Sequence, residues 1–247
     1  MNIYHISYAP TAKTAHLFFW GCNMSCRGCI LKEEIYDWHM EETRQARLKK
    51  MGEPSQPTRR FLKLGEVMDI LRGLKLAKVI FLGAEPAIDP ELPRLARVLH
   101  EERQTHNILL TNGLELPPLD DIDEVCFSIK AYTDSLHYHY TGTSNQGALR
   151  NFITINRQSG IKLRAESVLI PEYIDCTEVE KIAQFIAGVD RNIPYRIDGY
   201  IPVGDNLWRR ATEEEVGKAV NVAKRHLSEV SGLHGGKEPT VKIERVF

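Results

Sequence analysis

A chain of 247 residues, 43% of them hydrophobic, can bury a substantial core without disulfide or metal staples, as one domain or two. Its 32 basic and 33 acidic side chains leave a net charge of -1, which excludes a nucleic-acid partner held by charge alone, and 17 Gly with 12 Pro exclude a disordered or collagen-like chain. No apolar run nears the roughly 18 residues of a membrane helix and no secretory signal is visible, so a cytoplasmic protein without a membrane partner is expected.

In chain order, residues 15–20 read as a first buried strand, followed at once by three closely spaced cysteines. Residues 41–63 form a basic insertion, with Arg44, Arg47, Lys49, Lys50, Arg59, Arg60 and Lys63 against three acidic residues. It reads as a solvated surface loop or as a docking patch for an acidic partner. A second strand is expected at 78–82, and then a helix opened by Asp89 as N-cap and Pro90 at its first position, with Leu92, Leu95, Ala96 and Leu99 on one face. Strands at 107–111, 124–129, 162–170 and 194–200 continue the alternation. Thr177 with Glu180 and Thr212 with Glu215 have the spacing of capping boxes. The helices they would open bury Val179, Ile182, Ala183 and Ile186, and Val216, Ala219, Val220, Ala223 and Leu227. Residues 240–247 read as one more strand, which could pair near residues 3–7.

Near-continuous apolar strands separated by amphipathic helices predict an α/β fold, a partial (β/α)6 barrel with a mostly parallel sheet. Right-handed crossovers would gather the C-terminal strand ends on one face. One domain spanning 1–247 is expected, with its core at about 14–200 and a C-terminal helix and strand at about 211–247.

Of five cysteines, Cys22, Cys26 and Cys29 fall within eight residues at the spacing C-x3-C-x2-C. The odd count and tight grouping argue for a soft metal or an iron–sulfur cluster in a reducing compartment. A structural zinc site normally takes a fourth protein ligand, and no second C-x2-C is present. A [4Fe–4S] cube held by three cysteines leaves one iron open. Cys126 and Cys176 stand apart and read as small buried or incidental thiols.

The later motifs extend this pattern. Gly83-Ala84-Glu85-Pro86 follows the second strand, Thr111-Asn112-Gly113 the third, and Ser128-Ile129-Lys130 the fourth. Together with the cysteines they make the chain resemble the radical SAM superfamily, over most of its length. The resemblance implies a [4Fe–4S] cluster on Cys22, Cys26 and Cys29, whose open iron takes S-adenosylmethionine (SAM). Gly83, Ala84 and Glu85 look like the G-G-E-P element that meets the methionyl ammonium, with backbone and carboxylate, and Asn112, Ser128 and Lys130 would be further SAM contacts. The implied chemistry is reductive cleavage of SAM to a 5′-deoxyadenosyl radical that takes hydrogen from a substrate, with the electron coming from a low-potential flavodoxin or ferredoxin type donor.

Charged residues on otherwise buried strands are costly unless paired or used. Arg164 and Glu166 share one side of the fifth strand, either as a pair lining a polar pocket or as ligand contacts. Arg196, Asp198 and Tyr200 repeat the pattern on the sixth, and with this architecture all five would face substrate. His137 and His139 read as core or surface histidines.

Within the superfamily the chain is most similar to activating enzymes of glycyl radical enzymes, the pyruvate formate-lyase activase type. The likeness runs through Ser128–Lys130, His137, Thr141–Asn145, Leu149 and the strand end at Val168–Pro171. It departs at Ser128 for Asp, Ala84 for Gly, Gly28 for an aromatic and Ile201 for His. A glycyl radical enzyme would then be the partner. The alternatives are a small-molecule enzyme resembling 7-carboxy-7-deazaguanine synthase, and a metal or iron–sulfur electron-transfer module without catalysis.

Overall fold

The computed structural model describes residues 1–33, 60–202, 208–234 and 241–247. Most of the basic 41–63 segment, with its expected loop, therefore lies outside the described residues.

Two strands open the chain, β1 (Ile3–Ala9) and β2 (Thr14–Phe19), paired antiparallel. A short helix, α1 (Ile30–Glu33), follows the cysteine loop. Next come α2 (Leu64–Arg72), β3 (Lys78–Gly83), a single 3-10 turn at Pro86–Ile88, α3 (Leu92–Arg103), β4 (His106–Thr111) and β5 (Glu124–Ser128). Helices α4 (Asp134–Thr141) and α5 (Gln146–Asn156) lead to β6 (Lys162–Leu169), α6 (Cys176–Asp190) and β7 (Tyr195–Gly199). The chain closes with α7 (Glu213–Ala223), β8 (Val230–Leu233) and β9 (Glu244–Arg245).

The nine strands of the described residues form one open sheet in the order β8-β7-β6-β5-β4-β3-β2-β1-β9. It is parallel from β2 through β8, and antiparallel where β1 meets β2 and β9. This is the α/β fold and mostly parallel sheet expected, open and not closed into a barrel. Strand alternation sets its two faces. One face sends Leu17, Phe19, Val79, Phe81, Leu109, Val125, Phe127, Ala165 and Ile197 into the helices, all fully buried or nearly so. The helices answer with one apolar stripe each, such as Val179, Ile182, Ala183 and Ile186 of α6. Phe127 meets Phe152 edge-on at 5.1 Å. The other face carries Phe18, Leu82, Leu110, Ser128, Glu166 and Asp198 toward a cavity at the C-terminal strand ends.

The C-terminal strand pairs where it was expected to, with Ser7 opposite Arg245 and Tyr8 opposite Glu244. Two helix starts differ. Helix α3 begins at Leu92 with Glu91 in the N-cap position; the Asp89 carboxylate accepts from Glu91 N (2.9 Å), as a cap would, and also from Asn2 N (2.6 Å). Helix α6 is capped by Asp175, whose side chain accepts from Thr177 N and Glu178 N, so Thr177 and Glu180 make no box. The Thr212–Glu215 capping box is present at the start of α7. Strand β8 had no reading in the sequence: its four residues include Gly232 and three exposed positions, so no apolar period marks it.

Candidate active site

The cysteine loop begins where β2 ends and is stitched down on both sides. Ala84 N donates to Phe19 O and Glu85 N to Gly21 O, each at 2.9 Å. On the far side, Ser25 N donates to Thr141 O (2.7 Å) and Arg27 N to Tyr140 O (2.9 Å), tying the loop to the end of α4. Gly83 has φ +113°, and a Cβ there would lie 2.5 Å from Phe19 O, so only glycine permits this approach. Cys22 is exposed, Cys26 buried and Cys29 half-buried, and all three line a cavity of about 410 Å³.

Gly83, Ala84, Glu85, Asn112, Ser128 and Lys130 line the same cavity. Glu85, however, is only 1% exposed and its carboxylate is engaged inward. Oε1 accepts from Ala87 N (3.0 Å) and Thr111 Oγ1 (2.8 Å), and Oε2 from Asn112 N (2.7 Å). Burial raises its pKa despite these bonds. Glu85 thus braces the ends of β3 and β4 against each other. Asn112 is equally engaged: Oδ1 accepts from Leu114 N (2.9 Å), while Nδ2 donates to Asn23 Oδ1 (2.8 Å) and lies 3.7 Å from Cys22 Sγ.

Across the cavity, Glu166 holds a charged cluster. Its Oε1 accepts from Ser128 Oγ (2.5 Å) and its Oε2 from Arg196 Nη2 (2.7 Å) and Cys126 Sγ (3.2 Å). Arg196 also grips Asp198, Nε to Oδ1 at 2.8 Å and Nη2 to Oδ2 at 3.0 Å. One guanidinium therefore serves two carboxylates. Burial opposes both charges, but Arg196 and Ser128 keep Glu166 below the ordinary carboxylate range. Burial pushes Asp198 up to about 6, against the pull of Arg196 and with repulsion from Glu166. Glu166, Asp198 and Tyr200 line the cavity, whereas Arg196 supports the two carboxylates.

The expected Arg164–Glu166 pair is not formed. Arg164 pairs with Glu124 at 2.7 Å, lower on the sheet, and is not part of the cavity wall. The register explains this: Arg164 lies opposite Cys126, two residues below the Ser128–Glu166 rung. His137 is buried and bonded to Thr143 O (2.8 Å), and His139 is exposed and bonded to Tyr173 Oη (2.6 Å). Cys126 is buried, and Cys176 half-buried at the start of α6.

Lys130 points into the cavity, where burial works against its charge. The nearby Cys26, Glu166, Cys29 and Cys22 outweigh that cost and raise its pKa. Glu178 of α6 holds the backbone that follows: its carboxylate accepts from Tyr132 N (2.7 Å), Thr133 N (2.6 Å) and Thr133 Oγ1 (2.8 Å). Glu178 went unnoticed in the sequence, where it is one more acidic residue in a helix's first turn. Asn23 and Tyr140 were missed as well. A half-buried Asn inside a cysteine motif has no spacing rule, and Tyr140 reaches Gly28 only through the tertiary fold.

The donor set fits an iron–sulfur cluster better than a single ion. Among the described residues, no three His, Cys, Asp or Glu side chains converge as one metal ion requires. A cube spreads its three thiolates over three irons instead. Beside Cys22, Asn23 Nδ2 is buried with no acceptor among the described residues, and an inorganic sulfide or a ligand carboxylate would supply one.

Comparison with known proteins bears on the same residues. A family model described as the radical SAM superfamily matches residues 17–186. A Methanocaldococcus jannaschii protein, provisionally named a glycyl-radical enzyme activating enzyme, is 29% identical over 234 residues, covering 92% of this chain and 83% of that one. Among solved structures, a domain of pyruvate-formate lyase-activating enzyme from Bacteroides vulgatus superposes with a TM-score of 0.53 at 16% identity, covering 63% of this chain and 98% of that one. SuiB from Streptococcus suis, bound to precursor peptide SuiA, gives a TM-score of 0.61 at 12% identity. The match covers 87% of this chain, which spans 46% of SuiB. At these identities the two structures show the shared fold alone. Among the described residues, no helix is long and apolar enough to cross a membrane.

Proposed function

This chain belongs to the radical SAM superfamily, and from that premise we propose that it is an activating enzyme whose substrate is a glycine Cα–H on a partner glycyl radical enzyme. It is a radical SAM enzyme, with a [4Fe–4S] cluster and SAM as its cofactors. The observation that carries the activase reading is the likeness to the M. jannaschii protein along 92% of the chain.

When bound, the reduced cluster and SAM supply a 5′-deoxyadenosyl radical that takes a hydrogen atom from the substrate. The chain's own residues bind, orient and shield. Cys22, Cys26 and Cys29 would hold three irons. Three donors use the carboxylate of Glu85 and leave Oε2 with one acceptor site, so Glu85 and the backbone of Gly83 and Ala84 would together meet the methionyl ammonium. Lys130 would take an anionic group, a carboxylate among the choices, at the edge of the cysteine loop. Glu166, Asp198 and Tyr200 would face the substrate, with Arg196 fixing the two carboxylates. A low-potential flavodoxin or ferredoxin type protein would provide the electron.

The Glu166–Arg196–Asp198 cluster favours a second reading, a small polar substrate held directly in the cavity. One experiment separates the two. Anaerobically reconstituted protein is reduced with dithionite and given SAM, with Cys26→Ala as control. 5′-Deoxyadenosine formed only by the unmodified protein, with a glycine-centred EPR signal on a co-incubated glycyl radical enzyme, is the expected result. 5′-Deoxyadenosine that rises with a small polar substrate, and no protein radical, would favour the second.

A further inference from the structure

A hydrogen-bond path runs from the strand ends into the cysteine loop. Glu85 holds Asn112 by its backbone N–H, and the Asn112 side chain then reaches Asn23 Oδ1 at 2.8 Å and Cys22 Sγ at 3.7 Å. The orientation of the amide is settled by its neighbours: Leu114 N must find an oxygen, at 2.9 Å, which leaves Nδ2 facing the sulfur. Cys22 receives a second donor, Met24 N at 3.4 Å. Cys22 is also the exposed member of the three.

We propose that Asn112 is a positioning residue that sets the reduction potential of the cluster through its N–H···S contact with Cys22. The inference rests on the reading that the three cysteines hold the cluster. Reduction adds one electron, and a share of its charge falls on the ligand sulfurs. A donor aimed at a sulfur stabilises the more negative state and raises the potential, as hydrogen bonds to cluster sulfurs do in general. Asn112 does this from a rigid base, because Glu85 and the turn to Leu114 hold both its backbone and its Oδ1. The residue would therefore make the cluster easier for its donor to reduce, with no contact to SAM or substrate needed.

The test is an EPR-monitored redox titration with dithionite, without SAM, on reconstituted protein of measured iron content. Asn112→Asp keeps the acceptor for Leu114 N and removes the donor facing Cys22. Asn112→Ala removes the side chain altogether. Asn151→Ala loosens the same turn, since Asn151 Nδ2 holds Gly113 O (2.9 Å) and Leu114 O (3.3 Å), but it leaves the sulfur contact alone. Both Asn112 variants are expected to shift the midpoint to more negative values. The shift should be about tenfold in the reduction equilibrium, about 59 mV for one electron. Asn151→Ala is expected to stay at the wild-type value. An unchanged midpoint in the loaded Asn112 variants would overturn the proposal, as would an equal shift in Asn151→Ala. A wild-type protein that binds no cluster overturns the cofactor reading and this proposal together.

Discussion

At the residue scale, the consequential groups are those that are buried and doubly engaged. Glu85 satisfies three donors from two strand ends. Glu85→Ala should cost at least about 3 kcal/mol in urea unfolding, since it strands three donors at about 1–3 kcal/mol each. Arg196 compensates two carboxylates and is itself 38% exposed, so Arg196→Met should destabilise by about 1–3 kcal/mol, and a triple variant that also carries Glu166→Gln and Asp198→Asn should recover most of it.

Asp198 makes a pH-dependent case. Its carboxyl is raised from 3.8 to about 6, so between those values the folded state holds a proton that the unfolded state has lost. Stability should therefore fall as pH rises from about 4 to 6, by on the order of 2 kcal/mol, and level off above. Asp198→Asn should abolish that slope in urea titrations at pH 4, 5, 6 and 7. Arg164, expected beside these residues, illustrates the limit of alternation. Period 2 tells which side a residue takes, but height along the strand needs the register with its neighbour.

At the element scale, the helix starts carry the clearest contrasts. The Asp175 carboxylate caps α6 and Thr177 does not, so Asp175→Ala should cost about 1 kcal/mol in thermal melts while Thr177→Ala stays near neutral. At α7 the sequence rule held. Thr212 and Glu215 satisfy each other's amides, and Arg209 reaches Glu215 Oε1 at 2.7 Å. The guanidinium and the Thr212 amide lower Glu215 to about 2, so its contribution is present above about 4.5 and is lost as pH falls toward 2. Both motifs have a polar residue three before Glu, yet only one is a box. Asp175 offers a stronger acceptor two residues upstream of Thr177 and displaces it, a competition between neighbours that a four-residue pattern does not contain.

At the scale of the whole molecule, the parallel run of strands was legible because each is an apolar segment between punctuating turns, and both faces of such a strand are covered. Cys22, Cys26, Cys29, Gly83 and Lys130, which line one cavity, were legible for another reason: each sits at a fixed spacing after a strand end. What stayed hidden depends on strands that are neighbours only in space. The Glu166–Arg196 rung, the Glu178 clamp and the Asn23–Asn112 contact each join residues 30 or more positions apart. No local pattern encodes such a pairing.

The cavity has walls of unlike character. Phe18, Leu82 and Leu110 form one side, while Ser128, Lys130, Glu166 and Asp198 form the other. A molecule lodged between an oily wall and a charged one has a single favourable way to lie, and the two mirror-related hydrogens of a methylene then cease to be equivalent. Deuterium placed at one of those positions should be carried into 5′-deoxyadenosine and deuterium at the other left behind, so the sidedness of the sheet would be read out as the handedness of the reaction.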